Sequence, residues 1–194
     1  MRLSRKEFRA MNNPLRALAQ RRLEMPLFRR LGLVGAGRRI LEVGCGSGYG
    51  AELLAALAPA AYHGIDIMPE QIALARRRRL PGCTFAVESA AHLAGDATAG
   101  GWDTVVVFGV LHHMPEWRQA VRGIHRVLPP GGEVYIEEPD GAFIRRFDRV
   151  FHWGHPPQAA FRLAELERVL AAEGFLIRRA LRGGVFGAYG LKRM

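Results

Sequence analysis

The residues best suited to chemistry stand in one run, Leu41-Glu42-Val43-Gly44-Cys45-Gly46-Ser47-Gly48-Tyr49-Gly50. An apolar stretch carrying an acid passes into a turn with glycine at alternate positions, and an alanine- and leucine-rich segment follows. Glycine adopts backbone conformations closed to other residues and lets a ligand approach the main chain. A helix opening behind the turn adds free N–H groups. Together these features describe a nucleotide-type cofactor loop. A dinucleotide loop reads G-x-G-x-x-G and seats a pyrophosphate on the helix N-terminus. Here the spacing is G-x-G-x-G, Tyr49 stands where the third dinucleotide glycine would fall, and Glu42 would repel pyrophosphate. S-adenosylmethionine carries a sulfonium and an ammonium and no phosphate, so acidic neighbours suit it. The plain alternative is a tight strand-to-helix turn with no ligand.

A second anchor is Asp66, at the end of Ala61-Tyr62-His63-Gly64-Ile65-Asp66. A carboxylate about 20 residues past such a loop can accept hydrogen bonds from both ribose hydroxyls. Each contributes about 1.5–3 kcal/mol when well formed. Capping the helix that begins near Pro69 is the competing role.

With these anchors in place, the chain resembles the class I S-adenosylmethionine-dependent methyltransferases. Residues 41–50, Gly64-Ile65-Asp66-Ile67, residues 85–93, residues 108–114 and Arg126-Val127-Leu128-Pro129-Pro130-Gly131-Gly132 fall in that family's order. The likeness covers residues 38–191 and is greatest to the small-molecule branch that includes ubiquinone and menaquinone biosynthesis enzymes. It implies that Gly44, Gly46 and Gly48, with the small Cys45 between them, let the methionine part of the cofactor lie on the backbone. Glu42 would face its ammonium, directly or through water. Asp66 would hold the ribose, and Ile67 and Met68 would cover one adenine face. Ser89 stands where the family often has Asp. Ser89 or Glu88 would meet the adenine amino group, and the Ala90 N–H would serve the ring. The product would be S-adenosylhomocysteine.

The resemblance also sets Val110-Leu111-His112-His113-Met114 between the methionine tail and the acceptor. An imidazole there can take a proton near neutral pH. His113 is preferred over His112 because family members often keep histidine at its position; local hydrogen bonding is the alternative for both. Glu137 and Glu138 end the fifth strand, and strand neighbours point to opposite faces, so one of them, Glu138 in our assignment, is expected in the pocket. Buried there, its pKa would rise and make it a base; a solvated strand end is the alternative. An amine, carbanion-like or thiolate acceptor needs no base. His112, His113, His152 and His155 show no tight ligand spacing and methyl transfer needs no metal, so none is expected.

The elements that must hold these residues follow from periodicity. Strands are expected over residues 39–43, 62–67, 84–87, 103–108 and 133–137, with helices over 49–57, 69–79 and 117–127 between them. Residues 94–101 read as a loop and 139–157 as irregular. A helix over 158–173 ends at Gly174. Strands over 175–181 and 185–191 are joined by Gly183-Gly184, a hairpin signal. The fold expected is α/β: a Rossmann-like, doubly wound, seven-stranded sheet, mostly parallel, with a C-terminal antiparallel hairpin. Residues 38–194 form the cofactor-binding domain, and 1–37 a helical extension or lid, with a helix over 14–31 broken near Pro26.

Composition narrows the function further. The 194 residues are 49% hydrophobic, which suits one globular domain. No apolar run approaches the roughly 20 residues of a membrane span, and no signal-peptide stretch follows the basic start. Cys45 and Cys83 make no disulfide framework, so a cytoplasmic protein is expected. The net charge of +10 is almost all arginine, the lysines being Lys6 and Lys192. Such charge suits nucleic acid or an anionic membrane. The Arg76–Arg79 run, however, closes a helix without interleaved aromatics, and residues 108–114 lack the Asn/Asp-Pro-Pro-aromatic signature of nucleic-acid N-methyltransferases. The expected partner is a small-molecule acceptor such as a quinone precursor or lipid. Nucleic acid is disfavoured, and the basic N-terminal helix suits peripheral membrane contact. RNA methylation and non-catalytic cofactor binding are the alternatives. The sequence carries no signal for an oligomeric state.

Overall fold

In the computed structural model, which describes residues 5–93 and 101–194, the apolar run before the glycine turn is a strand at the heart of a sheet. β1 (Arg39–Val43) is flanked by β2 (Ala61–Asp66) with β3 (Cys83–Val87) beyond it, and on its other side by β4 (Thr104–Phe108) and β5 (Glu133–Pro139), all parallel. β4 is buried at all five positions, and burial on both faces is why it reads as an unbroken apolar run. β6 (Phe175–Arg182) and β7 (Phe186–Arg193) form the expected hairpin, and β7 pairs antiparallel with β5. Among the described residues the sheet has seven strands in the order β3-β2-β1-β4-β5-β7-β6. It is the Rossmann-like α/β architecture expected.

The helices begin with α1 (Arg5–Met11), α2 (Pro14–Ala19) and α3 (Met25–Leu31), the last two joined by a π-helical turn at Gln20–Glu24. Pro26 lacks an N–H, and its ring crowds the carbonyl four residues back. The π turn ahead of it absorbs the misfit, so the expected break is a bulge in a continuous helix. The 1–37 segment therefore has two parts. α3 belongs to the core, with Phe28 fully buried and its ring 5.0 Å from Phe108 and 6.1 Å from Tyr135. The part before it, through Met11, Arg16 and Gln20, borders the cavity described below.

α4 (Tyr49–Ala55) and α5 (Pro69–Arg77) share α3's face of the sheet through Leu54, Ile72 and Ala75. α6 (Trp117–Val127) covers the other face with Trp117, Val121 and Ile124. Two expectations fail beyond β5. Residues 139–157 are not irregular but contain α7 (Gly141–Phe151), capped by Asp140, whose side chain accepts from Ala142 N at 2.9 Å. Its rings at 143, 147 and 151 stack along the helix instead of filling the core, so the apolar pattern did not stand out as a buried face. α8 (Leu163–Ala172) starts later than expected. A 3₁₀ turn at Pro157–Ala159 takes up the first part of the expected helix, and Asp140 accepts from Leu163 N at 3.1 Å and from Arg162, which is extended just ahead of α8. Gly174, at φ +84°, ends the helix as expected. The loop expected over 94–101 lies, except for Gly101, outside the described residues. Among the described residues no helix is long and apolar enough to cross a membrane.

Candidate functional site

The strand order reverses direction at β1: β2 lies on one side and β4 on the other, and such a switch point opens a crevice at the carboxyl ends of the strands. A cavity lies there, bordered by Gly44–Ser47, Asp66–Met68, Glu88–Ala91, Phe108–Val110 and His113. The glycine loop is tied to β2 by main-chain bonds from Gly44 N and Cys45 N to Ile65 O, at 2.8 and 2.9 Å. Gly44 and Gly46 both have left-handed φ, +71° and +51°. They serve different ends. A Cβ on Gly44 would lie 2.5 Å from Val110 Cγ2, so this glycine lets the loop close against the next strand's turn. A Cβ on Gly46 would meet nothing within 4 Å, so this glycine keeps bare backbone facing the cavity.

Asp66 acts as the local cap weighed for it and also braces the glycine loop. Its Oδ1 accepts from Met68 N at 2.8 Å, as a local cap does, and its Oδ2 accepts from Gly46 N at 3.0 Å. Burial raises its pKa while these two N–H bonds pull it down. Ile67 and Met68 continue the same wall. Ser89 Oγ accepts from Ala91 N at 3.3 Å and starts a 3₁₀ turn over Ala90–His92. That turn is seated on α6 at Gly123, where a Cβ would come within 2.2 Å of Ala90 O. Ser89 and Ala90 both border the cavity.

The carboxylates expected in the pocket are elsewhere. Glu42 lies beneath the loop, wholly buried, bonded to the Tyr62 hydroxyl and under Gly50, where a Cβ would meet its Oε1 at 2.2 Å. Burial pushes its pKa up to about 8, the Tyr62 bond opposing. It supports the loop from behind and does not border the cavity. Glu138 is not a pocket base either. Its Oε1 accepts from Val110 N at 3.0 Å and Leu111 N at 2.7 Å, and its Oε2 lies 2.7 Å from His112 Nδ1. It clamps the turn at Leu111–His113, with a pKa raised by burial to about 8. Glu137, on the opposite face, is buried near Glu24 and Arg16; burial and then Glu24 raise its pKa. His112 is thus held by Glu138, and burial lowers its pKa to about 3. His113 does border the cavity, and its Nδ1 is buried without a hydrogen-bond partner. Burial, then His112 and His155, hold its pKa well below the ordinary imidazole value.

Other residues of the site carried no motif. Gln71 of α5 borders the cavity, and its Oε1 is buried without a partner. Arg78, which reads as part of a solvated helix end, braces the loop: it donates to Ser47 O, pairs with Glu52 and sits 4.0 Å over the Tyr49 ring. Its place in a four-arginine run hid it. S-adenosylmethionine matches these walls on three observations. Gly46 leaves backbone open where the methionine portion would lie. The Asp66 carboxylate is fixed by two N–H groups at the cavity edge, as a ribose acceptor needs. Gln71 offers an unsatisfied carbonyl oxygen in the wall.

Comparison with known proteins points the same way. The family described as a methyltransferase domain matches residues 9–179. A ubiquinone biosynthesis O-methyltransferase of Xanthomonas oryzae is 36% identical over 126 residues, 63% of this chain and 51% of that protein. A probable S-adenosylmethionine-dependent methyltransferase of Mycolicibacterium smegmatis is 34% identical over 170 residues, 87% of this chain and 63% of that protein. The chain thus spans about half the length of the first of these curated relatives. A solved S-adenosylmethionine-dependent methyltransferase of Aquifex aeolicus superposes over 100% of both chains with a TM-score of 0.77 at 16% identity, a likeness of fold.

Proposed function

The chain belongs to the class I S-adenosylmethionine-dependent methyltransferases, and from that premise we propose that it methylates a small lipophilic acceptor at a hydroxyl oxygen. The observation that carries the reading is the junction of two walls. The open backbone at Gly46 and the braced Asp66 face a cavity that also contains His113. The cofactor, when bound, supplies a methyl group already activated on a sulfonium. The residues of this chain bind and orient it, exclude water and place the acceptor. Asp66 holds the ribose while Gly46 and Met68 hold Asp66. His113, kept neutral by burial, presents a ring nitrogen that accepts the hydroxyl proton as the oxygen attacks.

The lipophilic acceptor is supported by the relative named for ubiquinone biosynthesis and by the surface. Leu15, Leu18 and Leu23 are exposed on the helical cover beside Arg21 and Arg22, and Phe143, Val150 and Phe151 are exposed on α7. Apolar side chains among arginines suit contact with an anionic membrane, from which such an acceptor would be drawn. The test is transfer of label from methyl-labelled S-adenosylmethionine to quinone precursors and to a lipid extract. Label is expected in the solvent-extractable fraction, lost in Asp66→Ala. Label confined to RNA, or no transfer to any hydroxylated acceptor, would contradict the reading.

A further inference from the structure

Three histidines from two separate segments of the chain converge beside the cavity. His112 and His113 come from the turn after β4, and His155 from the segment after α7. Their ring centroids are 4.1, 5.4 and 4.8 Å apart, and one ring nitrogen of each lies within 4.8 Å of the others. We propose that His112, His113 and His155 form a binding site for a divalent transition metal of zinc type at the acceptor edge of the cavity.

The surroundings of the rings favour ligation over mere packing. His112 Nδ1 is engaged by Glu138 and His155 Nδ1 by Asp148, each at 2.7 Å. A carboxylate on one ring nitrogen fixes the tautomer and orientation and leaves Nε2 as the lone-pair donor, as outer partners of metal-bound histidines do. Asp148 also accepts from His155 N at 3.1 Å, so it fixes the backbone as well as the ring. The third ring, His113, has a buried Nδ1 with no partner. Left-handed turns at His152 and Gly154, φ +53° and +76°, bring the chain back from α7 to deliver His155, while His152 itself stays exposed. The short sequence spacing of a metal motif is absent because the third ligand arrives through tertiary structure.

Zinc bonds imidazole nitrogen at about 2.0–2.1 Å, so tetrahedral ligands stand about 3.4 Å apart. Closing from the observed separation takes a shift of about 1 Å. Three imidazoles leave a fourth position open, and His113 puts it at the cavity. A hydroxyl oxygen is a fitting ligand there. Coordination would lower the hydroxyl's pKa so that its proton passes to bulk water, in place of transfer to His113, as the means of activating the acceptor. That use rests on the methyl-transfer reading; metal binding does not.

The test is calorimetric titration of chelator-treated full-length protein with zinc chloride, with magnesium chloride as control, beside His155→Ala, Asp148→Asn and His152→Ala. S-adenosylhomocysteine affinity is measured on each protein. One zinc per chain and no magnesium are expected. Zinc affinity should fall at least about 100-fold in His155→Ala and about 10-fold or more in Asp148→Asn. His152→Ala should leave zinc affinity unchanged, and S-adenosylhomocysteine affinity should stay within about twofold throughout. No stoichiometric zinc, or zinc binding indifferent to both His155→Ala and Asp148→Asn, would overturn the site. Zinc binding without S-adenosylhomocysteine binding would instead count against the cofactor reading and leave the metal site standing.

Discussion

The two walls of the cavity are built on different principles. The wall at β1, β2 and the glycine loop works through main chain. Gly44 and Cys45 donate to Ile65 O, Gly46 and Met68 donate to Asp66, and left-handed glycines let the loop close. The wall at Val110 and His113, with His112 and His155 behind it, works through side chains. Glu138 holds Val110 and Leu111 from 28 and 27 residues away, and Asp148 holds His155. A cofactor shared across a family can be read by backbone that glycines encode locally. The opposite wall depends on side chains that tertiary packing brings together, and such a wall can change residue by residue.

That contrast can be broken at several points. Glu138→Ala should have the largest effect on stability. It strips the backbone N–H groups of Val110, Leu111 and His112, and His112 Nδ1, of their acceptor, and unsatisfied buried donors cost about 1–3 kcal/mol each. A loss of about 3–5 kcal/mol in denaturant unfolding is expected, with Glu138→Gln recovering part of it. An effect under about 1 kcal/mol would mean the turn does not depend on this clamp. Gly44→Ala comes next, since it combines a left-handed φ with a contact at 2.5 Å to Val110. It should lose about 2–4 kcal/mol. Gly46→Ala has the strained φ without the clash. It should lose only about 1 kcal/mol yet bind S-adenosylhomocysteine more weakly. The reverse ranking in stability would refute the distinction drawn between the two glycines.

Glu42 sharpens the comparison through pH. In the fold its pKa is about 8, against an ordinary value of 4.5. Its contribution to stability is therefore full below about pH 4.5 and is lost as pH rises through about 8. Melting temperatures of the wild type and Glu42→Gln, followed from about pH 6 to pH 9, should diverge, the wild type falling more steeply. Parallel curves would show that Glu42 ionises freely and is not sealed under the loop. The smallest effect is expected from Arg78→Ala. Removing its bond to Ser47 O and its stack on Tyr49 should cost about 1 kcal/mol and a few-fold in cofactor affinity.

What the sequence revealed follows the same division. β1, the glycine loop, Asp66 and α6 (Trp117–Val127) were legible because each rests on local pattern: a buried apolar run, an alternating glycine triplet or a helical period. The hairpin was legible from its two glycines. α7 was not, because its stacked rings imitate an irregular aromatic stretch, although Asp140 and the spacing of 143, 147 and 151 were a usable signal. Glu42 and Glu138 were recognised as notable acids but misplaced. Strand alternation says which face a side chain takes, not whether a neighbouring turn has already claimed its oxygens. The meeting of His155 with His112 and His113 depends on how α7 is set against the sheet, which no local pattern records.

The central claim is that the glycine loop and Asp66 hold S-adenosylmethionine. Calorimetric titration of the protein and of Asp66→Ala with S-adenosylmethionine and S-adenosylhomocysteine tests it most directly. The expected result is binding in the micromolar range. Asp66→Ala should weaken it about 100-fold, through loss of charge-assisted bonds contributing about 1.5–3 kcal/mol each. Folded protein, free of copurified ligand, that binds neither compound at millimolar concentration would contradict the account and leave the loop as a turn between strand and helix.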